Sequence, residues 1–573
     1  MPNMKLYALT DFPDDCGRVK FTPEMMDSMI RILSEQGIKR AYYQYYGNKD
    51  DEYFWSNVWE KWKTMVDTAS LTPNMSRLFV DTCKRYGLET AGVMRPLEHG
   101  HWLEFSPYHK KEFESGLAGF GGSSVNPSAF LKKHPDLRIK RRSFDIDPDA
   151  EKKTVSEIKL YKQNNIPSRI RKEDLTVYVS ENNSYYKPIK GGFSFEEITE
   201  EAKDDVVIAL GSFTAPYGEK TITKKGDPIT VIRLSDLNIS EKFIAVGVKC
   251  PGDCTQAEHF INTLTNGISC FDAEGKEICS TQGGTTWPTL GGGSYLDEGF
   301  HFDDGFGTYT ECVLDPSDKE GFFAIAKGKN LYNHGALCEC EPLVGKTWFS
   351  YLDNAIDDGY DLIGNRIECH SVMVNEPYAY GYNDSVKELY FERYGKCDEC
   401  DMIPERIAKV RGDKYTELFK EGAKRVREKS KKVYLTLNIE MLRDKIPLKR
   451  VMAYPMNVEW QWERWLKEIR PDEINFRMYQ STPEFFLNDA QCKHMVDIAR
   501  SYGVPMTVER CITPNIAKEY KMLNETGLFD GLILYETAEM FDFSEGEVKL
   551  KNGSKGLNIE KIMEELKSLA CGN

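Results

Sequence analysis

The sequence predicts an α/β chain built as a (β/α)8 TIM barrel with a large inserted or appended β-sandwich module. Three observations carry that reading. Eight short apolar runs alternate with amphipathic stretches of helical period, the pattern of a parallel sheet covered by its own right-handed crossovers. The last two runs, Pro505-Met506-Thr507-Val508-Glu509-Arg510 and Gly531-Leu532-Ile533-Leu534-Tyr535-Glu536, bring glutamates to their ends, and a barrel sets its chemistry at the C-terminal ends of its strands. The 573 residues exceed the ~250 of one barrel, and the surplus falls in a β-rich middle.

Taken in order, the first strand is Leu6 to Asp11. Its helix starts at Thr22, an N-cap type, repeats apolar residues at Met25, Met26, Met29, Ile30, Ile32 and Leu33, and stops at Gly37. The second strand spans Ile38 to Tyr46, and the next helix runs from about Asn74 to Tyr86, before Gly87. The third strand is Glu89 to Arg95. Between Glu98 and Pro342 the rhythm changes to short alternating runs: Leu175–Ser180, Val206–Leu210, Ile229–Leu234, Phe243–Val248, Gly267–Phe271 and Gly321–Ala326, with Asp272-Ala273-Glu274-Gly275 as a hairpin turn. Runs of this kind predict a sandwich or jelly roll. The barrel resumes with Leu362 to Glu368, helices from Asp384 to Arg393 and Pro404 to Lys431, and a fifth strand from Lys432 to Glu440. A helix at Val458–Ile469, a sixth strand at Glu473–Tyr479, a helix at Asp489–Tyr502, the seventh strand, a helix at Asn515–Leu523, the eighth strand and a helix at Asn558–Leu569 complete the set. The expected organisation is 1–105 for barrel strands one to three, 106–345 for the inserted β-rich region and 346–573 for strands four to eight.

Composition narrows the function. A formal net charge of −15 argues against a nucleic-acid surface, which needs basic clustering; the run Arg138 to Arg142 is short and is followed by Asp145, Asp147 and Asp149. No apolar run approaches the ~18 residues of a membrane span. The segment Leu6–Leu9 is too short for a secretion signal, and the 15 cysteines are odd in number and scattered, so a reduced, cytoplasmic protein is expected.

At the strand ends stand Asp11, Arg95, Glu368, His370, Glu376, Glu440, Arg477, Tyr479, Glu509, Arg510 and Glu536. Carboxylates in an apolar-lined mouth are costly unless paired or used, and Arg95, Arg477 and Arg510 are the candidate partners. The bland alternative is a buried Arg–Glu network that holds loops. Aromatic residues crowd the same level: Tyr42, Tyr43, Tyr45 and Tyr46, then Trp102, Tyr378, Tyr380, Tyr382 and Trp460. Flat rings beside carboxylates suit a sugar, although alternation sends half of each run outward.

This layout resembles the (β/α)8 glycoside hydrolases, particularly the glycosyl-hydrolase-like barrel proteins of bacteria and the retaining barrel glycosidases. The resemblance rests on Val374-Asn375-Glu376-Pro377 after strand four, Val508-Glu509 ending strand seven, and the loop Glu376-Pro377-Tyr378-Ala379-Tyr380-Gly381-Tyr382-Asn383-Asp384 leading to Arg393-Tyr394-Gly395. It covers the barrel and not the inserted module. It implies hydrolysis of an O-glycosyl bond in an oligosaccharide or small glycoside, with Glu509 as nucleophile or base and Glu376 as acid/base. Asn375-Glu376 lies beyond Glu368, which holds the expected strand-end position, so Glu368 and then Glu440 compete for the acid. Asp11, Arg95, His370, Tyr479, Glu536, Trp102 and Tyr46 are the candidate substrate contacts. The expected partner is a carbohydrate substrate, with no nucleic acid, no membrane and no cofactor; homo-oligomerisation stays open.

Two rival classes remain. A metal-dependent barrel hydrolase would use His99, His101 and His370 as ligands, and a non-catalytic barrel would only bind carbohydrate. Cys397-Asp398-Glu399-Cys400 has zinc-like spacing but needs two more ligands, for which Cys338 and Cys340 are the nearby pair. Val344-Gly345-Lys346-Thr347 imitates the end of a phosphate loop, but Cys340 stands where its first glycine belongs.

Overall fold

The computed structural model describes residues 3–12, 19–45, 47, 60–103, 124–162, 164–181, 186–210, 218–249, 267–280, 312–315, 320–367, 377–438, 457–478, 482–543, 546–554 and 557–572. Eight parallel strands close into a barrel: β1 (Lys5–Thr10), β2 (Arg40–Gln44), β3 (Glu89–Met94), β4 (Leu362–Arg366), β5 (Lys432–Asn438), β6 (Glu473–Arg477), β7 (Met506–Cys511) and β8 (Gly531–Tyr535). Closure is by β8 on β1, with Leu6 opposite Leu532 and Ala8 opposite Leu534. The predicted barrel is therefore the observed one, with strand limits trimmed by a residue or two.

The strand alternation sorts the residues into two cores. Tyr7, Leu9, Tyr42, Ala91, Val93, Leu362, Tyr434, Ile533 and Tyr535 form one cluster, the barrel interior. Their neighbours in sequence, among them Leu6, Ala8, Tyr43, Ile363, Leu435, Val508 and Leu534, pack with the helices. Tyrosine rings fill the interior, and two glycines make room for them. A Cβ on Gly531 would stand 2.3 Å from the Tyr7 ring, and one on Gly364 would stand 2.5 Å from Tyr434. The floor of the barrel is polar. Arg40 donates to Glu473 at 2.5 Å and to the Tyr42 hydroxyl at 2.7 Å, and that hydroxyl donates to Glu473 at 2.7 Å.

The helices of eleven residues or more are α1 (Pro23–Glu35), α2 (Glu60–Leu71), α3 (Met75–Arg85), α4 (Pro342–Asp358), α5 (Asp384–Tyr394), α6 (Pro404–Glu428), α7 (Ala490–Ser501), α8 (Ile516–Thr526) and α9 (Ile559–Cys571). The Thr22 hydroxyl caps α1 by accepting from the Met25 amide, and Gly37 follows in the left-handed region, as the sequence predicts. Helix α4 is an addition. Its start signal is Pro342 in the first turn and its stop signal is the left-handed Gly359. It absorbs Val344-Gly345-Lys346-Thr347, so that stretch is the helical flank of the barrel and not a phosphate loop. The helix expected at Val458–Ile469 shrinks to Trp462–Arg464 followed by a π-helical turn, Trp465–Ile469. Among the described residues no helix is long and apolar enough to cross a membrane.

Between β3 and β4 the strands belong to other sheets. One five-stranded sheet has the order Ser194–Glu201, Pro228–Ser235, Glu157–Tyr161, Ile268–Phe271, Glu277–Ser280. A second has the order Cys312–Asp315, Glu320–Ala326, Phe243–Lys249, Leu175–Ser180, Lys187–Pro188. Pairing within both is antiparallel. Ile158, Leu160, Ile232 and Leu234 from the first meet Val177, Val179, Ile244, Val246 and Ile325 from the second, which makes the sandwich core. The turn at Asp272–Gly275 joins Ile268–Phe271 to Glu277–Ser280 as expected. Strand Ser194–Glu201 escapes the sequence pattern because it is an edge, half exposed and carrying four glutamates.

Candidate functional site

The C-terminal mouth of the barrel is built by what strand alternation turns inward. On β6, Glu473, Asn475 and Arg477 share a face, and on β7 Thr507, Glu509 and Cys511 do; Arg477 lies directly opposite Glu509. Glu509 is 1% exposed. Both of its carboxylate oxygens are held: Arg477 Nη1 donates to Oε1 at 2.7 Å, and Asn475 Nδ2 donates to Oε2 at 3.0 Å. The Arg477 guanidinium also lies 4.5 Å from the centre of the Tyr535 ring, with Arg366 at 5.7 Å from the same ring. Arg366 Nη1 donates to the Gln44 side chain at 2.8 Å.

A second group sits at the ends of β1 and β3. Arg95 donates to Glu98 at 3.0 Å and approaches Asp11 at 3.8 Å, all three being buried. The two groups meet electrostatically at Tyr535. Burial pushes its hydroxyl well above the ordinary phenol value; the Glu536 and Asp11 charges raise it further, while Arg477 and Arg366 pull it down. Burial likewise lifts the Cys511 thiol to about 12, against the pull of Arg477. Glu536 is partly exposed and is the more accessible described carboxylate of the set.

The expected site residues divide as follows. Glu509, Asp11, Arg95 and Glu536 lie at the mouth among the described residues. Glu376, Glu368, Glu440, His370, Tyr479 and Tyr46 lie outside the described residues. Trp102 is in the strand Gly100–Leu103, opposite Val125. Arg510 does not join the mouth: alternation sends it outward, where it donates to Glu519 of α8 at 2.8 Å and to the Met478 carbonyl. Several of the aromatic residues also leave the mouth. Tyr43 and Tyr45 pack in the helix layer, Tyr380 and Tyr382 are core residues beside α5 and α6, and Trp460 stacks edge-on against Tyr415. Tyr378 stays in solvent, 56% exposed. Asn475, Gln44 and Arg366 were not expected at the site. Their signal was available, since each is a polar residue two positions from another inward residue on its strand.

The metal readings can be placed. His99 is buried, its Nδ1 lies 3.0 Å from the Ser128 hydroxyl, and burial lowers its imidazole to about 3. The ring stands against Phe130 at 5.4 Å. Among the described residues the grouped ligand types are Cys338, Glu339 and Cys340, whose ligand atoms lie within 4.8 Å of one another. The Glu339 carboxylate is already taken by Arg411, at 2.6 and 2.9 Å. Two thiols fall short of the four ligands of a structural zinc, and Cys397 and Cys400 are not in that group.

The sequence matches no protein-family model and no curated protein. Among solved structures, the catalytic domain of a beta-amylase from Paenibacillus polymyxa aligns over 99% of this chain and 98% of its own, with 6% identity and a TM-score of 0.38. An endo-beta-1,4-mannanase from Thermotoga petrophila aligns over 40% of this chain and 62% of its own, with 14% identity and a TM-score of 0.20. A morphinone reductase aligns over 39% and 52%, with 12% identity and a TM-score of 0.22. Likenesses this distant carry no argument about function.

Proposed function

We propose that the chain is a glycoside hydrolase acting on an oligosaccharide or small glycoside, with Glu509 as the nucleophile or base at the barrel mouth. The observation that supports this most is Glu509 itself: a carboxylate on the inner face at the end of β7, oriented by Arg477 and Asn475. A carboxylate fixed at both oxygens holds its position as charge develops on a sugar, and such preorganisation is the main source of electrostatic catalysis. The partner acid is drawn from Glu376, Glu368 and Glu440, which follow strands four and five in the sequence. Their separation from Glu509 sets the outcome, about 5–5.5 Å for retention and about 6.5–9.5 Å for inversion. Asp11, Arg95 and Glu536 serve as sugar contacts, and the β-rich region after strand three shapes the cleft.

A second reading is favoured by one observation, the near-complete burial of Glu509 with both oxygens bonded. On that reading Arg477 and Glu509 form a structural pair like the Arg40–Glu473 pair of the floor. The two readings separate in one experiment: hydrolysis of a panel of aryl glycosides and short oligosaccharides by the wild type, Glu509→Gln and Glu376→Gln. Turnover in the wild type that is lost in a folded Glu509→Gln supports catalysis. A Glu509→Gln variant that is less stable yet equally active supports the structural pair.

A further inference from the structure

We propose that Cys270 and Cys279, in the sandwich, form a reversible disulfide when a hydroperoxide oxidises the protein, and so constitute a thiol modification site. The two residues are direct partners across the antiparallel strands Ile268–Phe271 and Glu277–Ser280. Directly opposed antiparallel residues hold their Cα atoms about 4.5–5.5 Å apart, inside the span of about 4.4–6.8 Å that a disulfide bridges. Alternation puts both side chains on the same face, toward the sandwich core, where Cys270 is buried and Cys279 is half buried at its rim. The cross-strand register alone brings the two sulfurs face to face. Bridging them therefore asks little of the backbone.

Access and charge distinguish this pair from the described pair Cys338 and Cys340. Among the described residues Glu277–Ser280 is an edge strand of its sheet and Cys279 is half buried, so a small oxidant reaches it from outside. The Lys327 ammonium interacts electrostatically with both sulfurs, while burial holds the Cys270 thiol well above its ordinary value. Cys338 and Cys340 are both buried around a carboxylate locked to Arg411. The chemistry balances in two steps. The Cys279 thiolate attacks one peroxide oxygen, the O–O bond breaks, and a sulfenic acid and hydroxide result. The Cys270 sulfur then displaces the sulfenic hydroxyl, forming the S–S bond. Two thiols and one hydrogen peroxide give a disulfide and two waters, two electrons passing from sulfur to oxygen.

The test uses the full chain, fully reduced, treated with hydrogen peroxide, alkylated and digested without reductant. Trypsin with chymotrypsin cuts after Lys276 and separates Cys270 and Cys279 from the remaining cysteines. The expected result is a joined pair of peptides carrying these two residues, two hydrogens lighter than the separate thiols and parted by dithiothreitol. Cys279→Ser, at the half-buried position, abolishes the joined species and leaves Cys270 alkylated. Full alkylation of both residues after peroxide, or either one bonded to another cysteine, overturns the proposal.

Discussion

At the scale of single residues, the mouth of the barrel is a set of carboxylates kept in place by guanidiniums. Glu509→Gln keeps the shape and one hydrogen-bond acceptor but removes the charge, and turnover is expected to fall by at least ~10²-fold, as electrostatic catalytic groups do. His99 makes a separate prediction about pH. Its folded value is about 3, below the ordinary histidine value of about 6.5. Above that ordinary value neither state holds the proton and the contribution to stability is complete. As pH falls toward 3 the unfolded chain takes up the proton and the folded chain does not, so stability is lost, on the order of a few kcal/mol. Denaturant titrations at several pH values should show a shallower decline for His99→Gln over that window. Glu509 was legible from its place in a strand count, and the inward set Asn475, Arg477, Glu509 follows from alternation alone. Which tyrosines reach the mouth was not legible, because a run such as Tyr42-Tyr43 reads the same on either face until the register is fixed.

At the scale of elements, the eight strands and the cap signals of α1 were readable because each carries its own punctuation. Helix α4 is hard to read in the sequence because its first turn, with Gly345, breaks the apolar rhythm, and the charged edge strand Ser194–Glu201 because it buries too little to show a period of two. What a strand buries also fixes what it tolerates. Gly531 on β8 sits against the Tyr7 ring of β1 at the seam where the barrel closes. Gly531→Ala should destabilise the protein by about 1–3 kcal/mol, the usual cost of overpacking a filled interior. Thermal denaturation measures the loss, and Tyr7→Leu, which removes the ring, should restore part of it in the double variant. An additive double variant would disprove the contact.

At the scale of the whole molecule, the segment between β3 and β4 is tied to the later half of the chain by several contacts, among them a buried charge pair. Glu339 follows the strand Tyr332–Leu337, which returns the chain from the insertion, and Arg411 stands on α6 of the barrel. Both are fully buried. Glu339→Gln leaves the guanidinium without its countercharge, at a cost of about 3–5 kcal/mol. Because the pair joins two parts, calorimetry of the variant should resolve two transitions where the wild type gives fewer; an unchanged profile would show that the pair couples nothing.

The position of the insertion also bears on how the chain is made. The Thr90 amide donates to Asp361 across 271 residues, at the seam where β3 meets β4. During synthesis, at about 5–20 residues per second, three barrel strands therefore leave the ribosome tens of seconds before the strand that pairs with the third. Contacts so distant in sequence slow folding, because loop-closure entropy is lost before any pairing rewards it. A sandwich that folds on its own in that interval shortens the effective loop, bringing its two ends together like a knot drawn in a rope, so the inserted module would also be the device that lets the ring close.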